Sequence, residues 1–216
     1  MAEKESANRR LAETLRQAGI PVVLLDRDLQ SFPNRSDFDL VGIDNVAGGY
    51  LLAEHLIKLG CSHIYFVARP HSAPTVDARI AGVREALVRH RLELDPRWLR
   101  EGDPADPKFV RSLVAGKQAD AFICANDHTA ALLLRSLEQA GIKVPRGVRV
   151  VGFDDARYAT LVSPPLTTIH QPCRDIATVA LRTMLERIVE PTLPARSVAL
   201  TPRLVLRESC GAYLRR

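Results

Sequence analysis

Two adjacent carboxylates, Asp154 and Asp155, follow the apolar run Val150-Val151-Gly152-Phe153. A buried strand that ends in acids delivers them to the carboxyl edge of a sheet, which in open α/β folds is where ligands bind. Asn126 and Asp127 close a second such run, Ala121 to Ala125. Asn there can cap the helix that follows and still donate and accept hydrogen bonds. Arg79 opens the segment Arg79-Ile80-Ala81-Gly82-Val83. Its planar fork of donors suits hydroxyls or a carboxylate, although a helix-surface arginine paired with Asp77 or Glu85 would look the same. Catalytic uses of the acid pair fit poorly. A phospho-receiver wants its acids after the first strand and a lysine late in the sheet, and no lysine follows Lys143. No P-loop, GxGxxG or G-x-S-x-G occurs, so we expect no enzyme, no metal and no cofactor. Asp155 reads as a turn or cap residue.

The elements that must position these residues alternate between helix and strand almost throughout, the pattern of a mostly parallel sheet with helices on its faces. The reading gives a helix over Ser6 to Ala18, stopped by Gly19. A buried strand follows over Pro21 to Leu25, then a second over Asp39 to Ile43. Asp44 and Asn45 are N-cap candidates for a helix with Leu52, Leu56 and Leu59 on one face. Ile64 to Val67 is a strand, and Ile80, Val83, Ala86 and Leu87 form a helical stripe. Further elements are a strand at Arg97 to Glu101, a helix at Pro107 to Val114, and a strand at Asp120 to Ala125. A helix carrying Leu133, Leu134 and Leu137 comes next, then a strand at Val148 to Phe153. Beyond the proline loop at Pro164 and Pro165 lies a helix over Ile176 to Ile188. A last extended segment runs from Ser197 to Leu206.

At 216 residues the chain supports one sizeable core or two small lobes. Its apolar fraction of 46% and charged fraction of 25% are those of an ordinary globular protein. The net charge of +5 is spread among interleaved acids, without a basic arm or a helix-turn-helix pattern. Nucleic-acid contact through this chain is therefore not expected. The stretch from Met1 to Gln17 lacks a secretory apolar core and no run reaches membrane-spanning length, which points to the cytoplasm and away from a membrane. Cys61, Cys124, Cys173 and Cys210 have no metal-site spacing, and Cys124 reads as a buried free thiol. His55 and His63 read as surface or packing residues.

Five patterns fall in one order: Asp44-Asn45 leading to Gly48-Gly49, Ala53, His55-Leu56 and Gly60; Arg79-Ile80-Ala81-Gly82; Cys124-Ala125-Asn126-Asp127; Asp154; and Ser163-Pro164-Pro165-Leu166-Thr167-Thr168-Ile169. Together they resemble the effector-binding domain of the LacI/GalR regulators, from about Leu11 to about Ser209. The resemblance implies a periplasmic-binding-protein-like α/β fold, two Rossmann-like lobes with parallel sheets. Residues 1–45 and 170–194 would form a partial N-terminal lobe, and residues 46–169 and 195–216 the C-terminal lobe. It further implies a small-molecule effector in the interlobe cleft, with Arg79 and Asp154 facing each other across it. Asn126 would join them, and Thr75, placed in a loop, is a further lining candidate. One Arg, one Asp and one Asn suit a neutral polyhydroxylated ligand, so a sugar is expected, with sugar phosphates and nucleobases as alternatives. The chain departs from the family at Pro104, where many relatives carry an aromatic ring. It is also read as lacking the DNA-binding headpiece and the opening of the N-terminal lobe, which would leave a sheet edge open to self-association. The function implied is allosteric control of transcription by a homodimer, with DNA contacted only through a headpiece of LacI or GntR type outside this chain. A sugar-binding protein of an ABC transporter, which shares the fold, is the alternative.

Overall fold

The computed structural model describes residues 10–11, 13–115 and 119–214. The expected first helix is helical at residues 10–11 and 13–17 and gives way to a turn at Ala18. The rest of that prediction, Ser6 to Arg9 and Ala12, lies outside the described residues. The elements that follow are β1 (Val23–Leu25), β2 (Asp39–Ile43), α1 (Asn45–Lys58), β3 (Ile64–Ala68), α2 (Thr75–Arg89), β4 (Leu99–Glu101) and α3 (Pro107–Val114). After these come β5 (Ala121–Cys124), α4 (Asp127–Gln139), β6 (Arg149–Val151), a 3₁₀ turn (Arg157–Thr160), β7 (Thr168–His170), α5 (Cys173–Val189), β8 (Ser197–Leu200) and β9 (Arg203–Val205).

The chain forms two compact units: residues 1–45, 73–78 and 172–201, and residues 46–72, 79–171 and 202–216. The first holds a parallel sheet in the order β1-β2-β8, with α5 packed on β1 and β2. Asp39, at the start of β2, is 2% exposed and accepts hydrogen bonds from Arg187 of α5 and from the Arg196 amide. Burial favours the neutral acid, but these donors outweigh it and hold the Asp39 carboxyl below its ordinary range. Arg187 also donates to the carbonyls of Pro191, Leu193 and Pro194, which ties the turn after α5 to the sheet. The strand at β1 is shorter than expected and not buried. It lies at the sheet edge, so Leu25 remains 51% exposed.

The second unit holds a parallel sheet in the order β4-β3-β5-β6. All residues of β3 and β5 are buried, as befits central strands covered on both faces. Tyr65, Phe122, Leu133, Leu137, Val150 and Leu166 belong to its core. The antiparallel pair β7–β9 continues from β6 through isolated bridges at Val151–Thr167 and Asp154–His170.

Two expectations change here. The segment Ser197 to Leu206 is two strands, not one: β8 joins the first unit's sheet and β9 pairs with β7 in the second. Residues 195–201 accordingly group with the first unit, where the sequence reading placed them in the C-terminal lobe. Alternating apolar residues report burial on one face but not the sheet that provides it. Thr75 is not in a loop but is the first residue of α2. The buried stripe of that helix reaches back through Arg79 to Val76, so the helix starts a turn earlier than the Ile80 stripe suggested.

Candidate ligand site at the carboxyl edge of the second unit

The site begins with two helices whose backbones touch. A Cβ on Gly49 of α1 would collide with the Arg79 carbonyl of α2, and one on Gly82 with the Val46 carbonyl. Glycine at both places allows α1 and α2 to approach closely. Gly48 serves a different neighbour, since a Cβ there would lie 2.7 Å from the Phe153 ring. Phe153, just past β6, fills that space, and the Arg79 guanidinium stacks 3.6 Å from its ring centroid. Arg79 is 4% exposed, donates to the Ala125 carbonyl at 2.7 Å and reaches Asp154 Oδ1 at 3.4 Å. Thus the residue after β5 contributes a carbonyl, the segment after β6 a ring and a carboxylate, and α2 the cation that joins them. A desolvated cation over an aromatic face is worth about 2 kcal/mol or more.

Arg79 and Asp154 are therefore in direct contact, and the Asp154 side chain, 39% exposed, is the member of the pair that meets solvent. Asn126 ends the neighbouring strand, half-buried, and its side-chain oxygen accepts from the Thr129 amide at 2.8 Å, capping α4. Thr75, partly buried, is the first residue of α2, the helix that carries Arg79.

Three participants escaped the sequence reading. Phe153 looked like one more apolar strand residue. Asp127 looked like the second half of a cap, yet it is fully buried, accepting from Thr168 Oγ1 at 2.6 Å and from the Ala156 amide at 2.7 Å. Burial pushes its carboxyl up to about 6 despite those two donors, and nearby Asp154 and Asp155 push the same way. A Cβ on Gly152 would strike this carboxylate, which supplies the reason for that glycine. Asp155, read as a turn residue, is paired with both Arg207 and His170. The weak sequence signal for these was the density of acids around two strand ends. Among the described residues no group of three or more His, Cys, Asp or Glu side chains is arranged to hold a metal, and no helix is long and apolar enough to cross a membrane.

A parallel α/β unit with buried strands, close-packed α1 and α2 and an Arg–Asp pair at its carboxyl edge is the architecture of a ligand-binding class of fold. The chain belongs to the periplasmic binding protein-like domain family, whose model matches residues 53–210. Within that family it groups with the LacI-type transcriptional regulators. It is 31% identical over 202 residues to the HTH-type transcriptional repressor PurR of Aliivibrio fischeri, an alignment covering 91% of this chain and 59% of that repressor. The chain thus spans about three-fifths of the curated relative it matches. Among solved structures it is similar to a LacI family transcriptional regulator from Enterococcus faecium with bound ribose, with TM-score 0.79 and 28% identity over 92% of this chain and 74% of that one. It is similar also to the transcriptional regulator CelR–cellobiose complex, with TM-score 0.81 and 27% identity over 96% and 70%. These relatives are regulators and not transport proteins, so the transporter alternative falls away.

Proposed function

We propose that this chain is the effector-sensing part of a bacterial transcriptional regulator and that it binds a neutral polyhydroxylated molecule, a sugar, beside Asp154. The observation that carries this reading is the division of labour in the Arg79–Asp154 pair. Arg79 is buried and fixed by Phe153 and the Ala125 carbonyl, whereas Asp154 is partly open. A partly exposed carboxylate oriented by a cation can accept from two adjacent hydroxyls. Arg79 then acts chiefly by orienting Asp154, and Asn126 adds a contact from the next strand. The ribose and cellobiose held by two similar regulators support a sugar over a nucleobase. Thr75, at the start of α2, is a further lining candidate. Regulation of DNA binding, a headpiece of LacI or GntR type, homodimer formation, a cytoplasmic location and the absence of catalysis all follow from the same reading.

The test is thermal unfolding against sugars, sugar phosphates and nucleobases, with Asp154→Ala alongside. A ligand at a hundred times its Kd adds about 2.7 kcal/mol, which gives a clear rise in Tm. The reading expects a sugar to raise Tm in the parent chain and not in Asp154→Ala. A shift that survives the substitution removes Asp154 from the site, and shifts with nucleobases alone replace the ligand class.

A further inference from the structure

The turn that carries Asp154 is held in an unfavourable backbone conformation. Asp154 has φ 115° and Asp155 φ 57°. Such angles are unfavourable for a non-glycine residue and persist only where the surroundings over-determine them. The surroundings here do so from three sides. The Asp154 amide donates to the Ile169 carbonyl at 2.9 Å and its carbonyl accepts from the Gln171 amide at 3.2 Å. The Ala156 amide donates to buried Asp127. The third constraint is the Asp155 side chain: Oδ1 accepts from Arg207 Nη2 at 2.6 Å, and Oδ2 lies 2.8 Å from His170 Nδ1. Arg207 is itself fixed, donating through Nη1 to the Leu166 carbonyl at 2.8 Å and through its amide to Thr167 Oγ1 at 2.9 Å. The three side chains are only 16% to 36% exposed. Burial alone would raise the Asp155 acid, but hydrogen bonds from Arg207 and His170 prevail and keep it ionised and below its ordinary range.

We infer that Asp155, Arg207 and His170 are positioning residues that hold the 154–155 turn so that the Asp154 carboxylate stays on Arg79, aimed at the ligand. None of the three needs to touch the ligand. The set reaches the turn from β7 and from the segment after β9, and Arg207 lies 52 positions downstream of the acid it holds. This inference rests on the reading that Asp154 receives the ligand. A merely structural ion pair would affect the whole unit on removal, whereas a positioning set affects the turn first.

The experiment compares Arg207→Ala, Arg207→Lys, Asp155→Asn and His170→Gln with the parent chain by amide hydrogen exchange and by titration with ribose and cellobiose. Arg207→Ala should speed exchange at Asp154, Asp155 and Ala156 at least tenfold while β3 and β5 keep their protection. Arg207→Lys should recover part of the loss. Whichever of the two sugars binds the parent chain should bind Arg207→Ala and Asp155→Asn at least tenfold more weakly. Asp155→Asn keeps the side-chain shape and serves if Arg207→Ala does not fold. Unchanged exchange at the turn, exchange that rises evenly through the unit, or undiminished sugar affinity would overturn the inference. If neither sugar binds the parent chain, the ligand reading loses its support while the exchange comparison still decides the positioning role. If a sugar binds through Asp154 and ignores Arg207, the ligand reading stands and the positioning role fails.

Discussion

Asp127 is the residue whose environment sets a measurable pH dependence. Its carboxyl has an ordinary value of 3.8 and is pushed up to about 6 by burial. The unfolded chain therefore releases this proton first as pH rises, and stability falls between pH 3.8 and about 6, then levels off. Two pH units at about 1.4 kcal/mol each make the full effect about 3 kcal/mol. Asp39, Asp120 and Asp155 act in the opposite sense, because their carboxyls are held low and their contribution is lost only as pH drops through the acid range. Asp127→Asn should therefore leave the acid limb in place. The stability advantage of the parent chain over the variant should shrink by up to about 3 kcal/mol from about pH 4 to about pH 7. Urea unfolding at several pH values checks this, and parallel curves would contradict it.

At the scale of elements, the contact between α1 and α2 decides where Arg79 sits. Gly49 and Gly82 lie on opposing helices, each occupying space that a Cβ would take from the partner's backbone. Backbone cannot swing aside as a side chain can, so Gly82→Ala should cost about 3 kcal/mol, at the upper end of overpacking effects. It should also push α2 outward and draw Arg79 off Phe153. Chemical denaturation would show the loss, and a crystal structure of the variant would show whether the stacking distance has grown beyond 3.6 Å. A variant as stable as the parent would mean that the helices have slack at this crossing. The glycines were visible in the sequence as Gly48-Gly49 and as the last residue of Arg79-Ile80-Ala81-Gly82. Their purpose was not, because a glycine states only that a Cβ is absent and never which neighbour occupies the space.

At the scale of the molecule the two units differ in how much they bury. Among the described residues, Val41, Ile43, Val76, Ile176 and Ala180 are the buried apolar residues of the first unit, while the second unit buries Phe66, Phe122, Phe153, Leu52, Leu56 and many more. Leu25, Leu181, Leu185, Ile188 and Val189, all in the first unit, are more than half exposed. Local stability follows buried contact, so amides of β3, β5 and β6 should exchange slowest and those of β1 and β8 markedly faster. Equal protection across both sheets would show that the units unfold as one.

The sequence by itself determined the alternation of strands and helices, the strand ends that carry Asn126 and Asp154, and the family, since burial periodicity and short motifs are local properties of the chain. Only the tertiary structure decided that Arg79 stacks on Phe153, that Asp127 lies fully buried, that Asp155 is bound by Arg207, and that Ser197 to Leu206 divides between two sheets. Those facts join residues dozens of positions apart, and packing and desolvation act on distance in space, which the order of residues along a chain does not record.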